Sequence, residues 1–296
     1  MDWDKLRIFH IVAESGSFTR AGDALNLSQS AVSRQIRALE DTLKVPLFHR
    51  HARGLILTEQ GELLHLTTRE VFAKLSVTEA MLTESKDQPK GPLRITTTVG
   101  FGSMWLTGHI GEFLDNYPDI KVTLLVTDTE LDLSMRQADV AIRVDLPRQP
   151  DLIQRHLFTG SFGAFAVPDY LNRFGTPRTL AELVNHRLVT YGVDLAMPFS
   201  GINWLVDAVR EIEPSFEPAF TVNNLYGTLR AIETGIGIAS LPGFMGTQNP
   251  QLVRVLPDIE TPKADAYFVY PEEMRQSARV TAFRDFLLRK VAQTNF

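Results

Sequence analysis

The sequence predicts a chain of mixed class: an all-α N-terminal domain, one long helix, and a larger α/β domain after it. Three observations carry this. Apolar residues recur at helical spacing in three short stretches of the first 43 residues. Residues 59–86 hold no proline and a heptad of apolar positions. Beyond Pro89, strand-like runs alternate with helical ones. At 296 residues there is room for two domains. Hydrophobic residues are 44% and charged residues 22% of the chain, which excludes a disordered or fibrous protein. The absence of cysteine excludes a disulfide framework, a thiolate zinc site and thiol redox sensing.

The first helix is read over residues 3–15, where Leu6, Phe9 and Ala13 step by three and four and Val12 widens the face. Gly16 stops it, and Ser17 caps a second, short helix whose Ala21, Ala24 and Leu25 allow close packing. Ser28 then caps a third, with Val32, Ile36, Leu39 and Leu43 as its buried stripe. The other face of that helix is polar: Ser30, Ser33, Arg34 and Arg37 line up, with Ser28 and Gln29 at its start. A polar face is ordinarily only a solvated one. Here it opens the second of two helices joined by a tight turn, the arrangement that sets a recognition helix into the major groove. Gln can pair with adenine, Ser with several base edges, and Arg with guanine or a phosphate.

The segment VPLFHRHARGLILT follows, with a proline break, a basic turn and strand-like residues 55–58, as a wing would. Formal net charge is −5, so any nucleic-acid contact must be local, and between Ser28 and Arg53 five basic residues face two acidic ones, an excess of +3. His49 and His51 form an H-x-H pair near this turn. With no cysteine and no carboxylate pair beside them they do not make a usual ligand set, and no metal or cofactor is expected.

The run GSFTRAGDALNLSQSAVSRQIRALEDTLKVPLFHRHARGLILTEQG resembles the winged helix-turn-helix of LysR-type transcriptional regulators. The likeness is dense over about 60 residues, and the overall length, the long helix and the C-terminal layout are similar too. One departure is Lys44, where the family usually has the glycine that suits a helix C-cap. The resemblance implies that Gln29, Ser30, Ser33 and Arg34 contact DNA. Arg37, Arg50 and Arg53 join them on charge and face, and Ser28 by its place at the cap. The expected boundaries are a winged helix-turn-helix at 1–58, a linker helix at 59–88 and a regulatory domain at 89–296.

In the linker, Leu64, Thr68, Val71, Leu75, Thr78 and Leu82 form a heptad seam, weakened by its threonines. The seam pairs with a second copy, as the family's dimer does, or packs on its own domain. Beyond KDQPKGP, the strands LRITTT, IKVTLLVT and ADVAIRV alternate with helices at 103–116 and near 131–136, predicting a parallel sheet. A second unit begins near Phe162 with AFAVP, HRLVTY, FEPAFTV, NNLYGTLRAIETG and IGIASLP. The chain returns through DAYFVYP to a helix over Ala278–Ala292. The resemblance implies the two-lobed periplasmic-binding-protein-like fold, with lobes of about 92–163 plus 267–296 and of 164–266.

Ligands of open α/β sheets bind beyond the carboxyl ends of strands. That places Thr97, Thr98 and Gly100 beside a helix start near Ser103, a setting that suits an anion such as a carboxylate. Thr127, Asp128 and Asn223 are further cleft candidates, although Asp128 would repel a carboxylate, the threonines equally suit strands and Asn223 equally suits a helix cap.

No catalytic pattern emerges: GIASLPG around Ser240 lacks the spacing of a nucleophile elbow, and GFGS at 100–103 is no dinucleotide loop. No enzyme is expected. The opening MDWDKLRIFH lacks a secretory pattern and no apolar run is long enough for a membrane span, so a cytoplasmic location is expected. The family likeness implies a bacterial regulator that binds double-stranded promoter DNA, forms a homodimer or homotetramer, contacts RNA polymerase and responds to a small-molecule effector. The competing class is a solute-binding sensor in which the ligand domain dominates.

Overall fold

A computed structural model describes residues 2–51, 54–83, 88–145, 151–192, 197–199 and 201–296. It forms two compact units, one of Met1–Thr83 with Ser134–Arg136 and one of Glu84–Leu133 with Gln137–Phe296.

The first unit holds α1 (Trp3–Ser15), α2 (Phe18–Leu25), α3 (Gln29–Leu43), β1 (Phe48–His51), β2 (Gly54–Leu57) and α4 (Glu59–Thr83). Local signals fix the helix ends. Gly16 closes α1 at φ 60°, Ser17 caps α2 by accepting from Arg20 N, and Ser28 caps α3 by accepting from Ala31 N. Ile8, Phe9, Val12, Ala21, Val32, Ile36 and Leu39 form the core with Leu47 and Phe48 from the wing. Ala24, expected inside, is exposed, because its neighbour Gly22 makes the close approach instead. A Cβ on Gly22 would lie 2.7 Å from the Leu27 carbonyl oxygen, so the turn between α2 and α3 closes on a glycine.

The wing is tied at both ends. Glu40 Oε1 accepts from Leu47 N at 2.8 Å and Phe48 N at 3.3 Å, and Thr58 Oγ1 donates to the Pro46 carbonyl at 2.7 Å while accepting from Gly61 N at 3.0 Å. Lys44 occupies the left-handed region at φ 59°, so the backbone takes the path that a glycine would favour. In α4 the seam divides. Leu64 packs on the domain's core and Thr68 is buried, whereas Val71 and Leu75 are exposed, as are Leu63 and Leu66. The side chains of Thr78 and Leu82 lie outside the described residues.

The second unit is built on β3 (Gly91–Thr97), a helical rod of α5 (Val99–Phe101), a π-type turn at Gly102–Leu106 and α6 (Thr107–Asn116), then β4 (Ile120–Val126), β5 (Val140–Val144) and the long β6 (Leu152–Ala166). Next come α7 (Pro168–Phe174), β7 (Leu188–Tyr191), α8 (Trp204–Arg210), β8 (Phe220–Val222), α9 (Leu225–Glu233), β9 (Ile238–Pro242), α10 (Gly243–Thr247), β10 (Val253–Val255), β11 (Lys263–Pro271) and α11 (Ala278–Ala292). Residues near 131–136 form turns, not the expected helix, and Arg136 at φ 56° is incompatible with one.

The strand order β4-β3-β5-β11-β6-β9-β7-β8 runs through both lobes, with β10 added to β6. The sheet is mixed and not parallel throughout, which corrects the sequence expectation. β3 is parallel to β4 and β5, and β7 to β8 and β9, but β6 and β11 are antiparallel to each other and to their neighbours. The physical reason lies in β6: nine of its first ten residues pair with β11, Leu157 being passed over at a bulge, and its last ones pair with β9 and β10, so one strand serves both lobes. Phe113 packs edge-on to Phe283 of α11 in one lobe, while Leu183, Leu188, Val209, Ile238 and Val255 form a separate core in the other.

Candidate DNA-reading face and effector cleft

The N-terminal half of α3 is held by a short polar network. Ser28 Oγ accepts from Ala31 N at 3.2 Å and lies 3.1 Å from Ser30 Oγ. Ser28 is thereby engaged in capping, while Gln29, Ser30, Arg34 and Arg37 are exposed and Ser33 is half-buried at the edge of the same face. Val32, Ile36 and Leu39 beneath are fully buried, so the helix cannot rotate its polar face inward without exposing the core. Arg50 lies on β1, opposite Leu55 of β2, which places it on the wing. Arg53 lies outside the described residues.

In the second unit the expected effector residues part company. Thr97 is fully buried at the end of β3 and its Oγ1 has no hydrogen-bond partner among the described residues. Thr98 stands at the N-cap of α5 and faces an apolar cavity. Gly100 is buried where α5 crosses Leu225 of α9, a Cβ there lying 3.2 Å from Leu225 Cβ. Ser103 does not start a helix. The rod begins at Val99, and Ser103 is an exposed residue of its π-type turn. Thr127 is spent locally, its N donating to the Thr97 carbonyl and its Oγ1 accepting from Thr129 N at 3.1 Å. Asn223 is exposed, and the cap of α9 is Asn224, whose Oδ1 accepts from Gly227 N.

Asp128 has the most consequential place. Its Oδ1 accepts from Val99 N at 3.0 Å, the first amide of the helical rod, and its Oδ2 accepts from Tyr191 Oη at 3.1 Å. The helix N-terminus that would welcome an anion therefore already holds the protein's own carboxylate. Because Asp128 follows β4 and Tyr191 ends β7, the bond joins one lobe to the other. Burial pushes the Asp128 carboxyl above the usual range, opposed by the two bonds it accepts. Burial and the facing Asp128 push the Tyr191 phenol up as well, so it stays a donor. Asn203 fixes the backbone of Tyr191: its Oδ1 accepts from Tyr191 N at 3.1 Å and from Thr190 Oγ1 at 2.8 Å, and its Nδ2 donates to the Tyr191 carbonyl.

The cavity beside Thr98 holds about 530 Å³ of empty space, its open mouth included, and is lined by Phe101, Phe158, Phe162, Phe199, Leu225 and Phe244 among others. Ser161 is its other hydroxyl. These aromatics come from both lobes, and reasoning from polar groups at strand ends does not find them. The available signal was 18 phenylalanines, of which Phe158 and Phe162 lie within β6, Phe101 on α5 and Phe244 on α10. Ser240, which lacks the spacing of a nucleophile elbow, is buried and accepts from Trp204 Nε1 at 2.6 Å.

Two family models cover most of the chain: the bacterial regulatory helix-turn-helix protein of the lysR family over residues 3–62, and the LysR substrate binding domain over residues 86–292. The transcriptional regulator PtxR of Pseudomonas aeruginosa is 30% identical across 100% of this chain and 95% of its own. The full-length structure of AphB, a virulence activator of Vibrio cholerae, is 26% identical with a TM-score of 0.61 and covers 98% of this chain and 99% of its own. CbnR, solved with its target DNA, shares the fold at a TM-score of 0.66 and 20% identity, over 98% of this chain and 100% of its own.

Proposed function

This chain belongs to the LysR family of transcriptional regulators, with a DNA-binding helix-turn-helix and a ligand-binding domain, and from that premise we propose that it reads promoter DNA through α3 under control of an uncharged, largely apolar effector. The observation that carries the first half is the capped start of α3, where Gln29 and Ser30 are exposed above a core that fixes the helix's roll. Gln29, Ser30 and Ser33 read bases, and Arg34, Arg37, Arg50 and Arg53 meet bases or phosphates.

The second half rests on the cavity. Its phenylalanines offer burial and stacking, and its two hydroxyls offer orientation. A carboxylate would find the helix terminus filled by Asp128 and would be repelled by it. Thr98 and Gly100 stay in the effector role, Thr98 as a lining hydroxyl and Gly100 by allowing the two lobes to approach. Thr97, Ser103, Thr127 and Asn223 would act at most through neighbours. Closure on an effector works against, or together with, the Asp128–Tyr191 bond, and re-orients paired subunits on DNA.

The exposed apolar stripe of α4, including Val71 and Leu75, supports pairing with a second copy, and the effector domains extend the dimer to a tetramer. RNA polymerase is the downstream partner in this reading. Among the described residues no helix is long and apolar enough to cross a membrane, and we place the protein in the cytoplasm, without enzymatic activity. The deciding experiment captures genomic fragments on the purified protein against random duplex at physiological salt. Enrichment of promoters sharing an inverted repeat, with affinity falling steeply as salt rises, supports the regulator. Weak, salt-insensitive duplex binding together with tight ligand binding would instead favour a solute sensor.

A further inference from the structure

Away from the base-reading face, α1 and α4 bring together three side chains with metal-ligating chemistry. His10 and Glu14 lie one turn apart on α1, and His65 meets them from α4. One potential ligand atom from each, two imidazole nitrogens and a carboxylate oxygen, all fall within 4.8 Å of one another. His65 Nε2 is 3.0 Å from Glu14 Oε1. The ring of His10 stacks on Phe72 at 4.8 Å with 19° between the planes and lies 5.8 Å from the ring of His65. The cluster is thus oriented by packing as well as by its own polar contacts.

One polar atom of this cluster is unsatisfied. Nδ1 of His10 is buried and has no hydrogen-bond partner among the described residues. A buried polar atom left this way is costly, and it commonly marks a missing ion or water. Arg69 Nε, 3.9 Å from Glu14 Oε1, competes for the carboxylate, although it lies farther from that oxygen than His65 does.

We propose that His10, Glu14 and His65 form a binding site for a divalent transition metal of the zinc type. Two imidazoles and one carboxylate suit zinc, cobalt or nickel, whereas calcium and magnesium ask for oxygen ligands throughout. Three protein ligands leave further coordination positions to water, which makes the site exchangeable and not a closed structural centre. Since the ligands come from both helices, the ion pins the start of the linker helix to the winged domain. The site is separate from α3 and from the effector cleft.

Full-length protein, stripped with chelator, is titrated with cobalt while its visible absorption is recorded, and zinc is then added as competitor. The expected result is saturation at one ion per chain, displacement by zinc, and a loss of affinity of about tenfold or more in both Glu14→Gln and His65→Ala. His49→Ala and His156→Ala, at exposed histidines elsewhere, should leave the titration unchanged. Glu14 is half exposed, so its variant is expected to fold, and retained metal-free duplex binding verifies this. Absence of saturable cobalt binding in the parent chain, or equal affinity in Glu14→Gln and His65→Ala, would overturn the proposal.

Discussion

Gly61→Ala should uncouple the wing from the linker helix, although alanine ordinarily favours a helix. A Cβ at this position would lie 2.1 Å from the carbonyl oxygen of Leu47 and 3.1 Å from Leu57 Cδ2. An ordinary carbon–oxygen approach is about 3.3 Å or more, so the Leu47 carbonyl or α4 must retreat by roughly 1.2 Å. That carbonyl accepts from Thr58 N at 3.0 Å, and the retreat breaks the bond. Losing a part-buried backbone bond costs about 1–3 kcal/mol and overpacking a further 1–3 kcal/mol or so. The helix preference of alanine over glycine returns about 1 kcal/mol. The balance is a local loss of roughly 1–5 kcal/mol, at least about fivefold in the opening equilibrium and, at its middle, more than a hundredfold. Hydrogen–deuterium exchange of peptides covering β2 and the first turns of α4 reads this directly, and duplex affinity should fall with it. Unchanged protection in those peptides would refute the reasoning, because it would mean that the helix tolerates a β-carbon where the geometry leaves no space.

Lys44→Gly should stabilise the winged domain by about 0.5–1 kcal/mol, since the left-handed conformation costs a β-carbon residue roughly 1–2 kcal/mol and glycine's unfolded-state entropy returns only part; a higher thermal midpoint is the check, and a lower one would show that Lys44 is not strained. Arg34→Ala should weaken binding to specific and random duplexes alike and lower the salt slope by about 0.9 for each phosphate that is no longer neutralised, whereas Gln29→Ala should act mainly on the specific site. Equal losses for Gln29→Ala on both duplexes would remove its base-reading role. Tyr191→Phe removes the donor to Asp128, a bond to a charged acceptor worth about 1.5–3 kcal/mol. Because burial raises the folded Asp128 above its usual 3.8, this group favours the folded state most below that value and the benefit is lost as pH rises through the folded pKa. Tyr191 supports the ionised form, so the penalty of Tyr191→Phe in urea melts should be larger at pH 7 than at pH 4. A pH-independent penalty would argue that the bond does not bear on the charge.

What could be read beforehand follows from the range of the interactions involved. Gly16, Ser17 and Ser28 act on backbone groups three or four residues away, and the apolar steps of α3 need only one helix to be expressed, so the winged domain and its exposed polar face were legible in the sequence. Ala24 was expected to pack and Gly22 takes the close approach instead, because packing across a turn depends on where the Leu27 carbonyl points, which no periodicity records. The mixed sheet was missed for a similar reason: β6 reads as one long strand, and only its partners, 102 to 119 residues away at β11 and 74 to 80 away at β9, give it direction.

The cleft illustrates the limit most clearly. Strand ends and a helix start expected near Ser103 pointed to a seat for an anion; the rod begins instead at Val99, and the carboxylate its first amide meets is that of Asp128, 29 residues from that amide and 63 from the phenol that shares it. A sequence shows that the electrostatic seat exists and that a carboxylate is near in the chain. It does not show that the two are already joined. Once they are, the same hydroxyl-bearing segment changes meaning: Thr98 joins Ser161 as one of two hydroxyls on the wall of an aromatic cavity, and in the proposed reading selectivity passes to shape and apolar area. Replacing Asp128 with alanine, which vacates the helix terminus, should therefore admit carboxylated aromatic ligands that the parent chain rejects. Calorimetric titration of both chains with benzoate and with toluene separates the cases. Benzoate binding as tight in the parent as in Asp128→Ala would mean that the seat was never occupied.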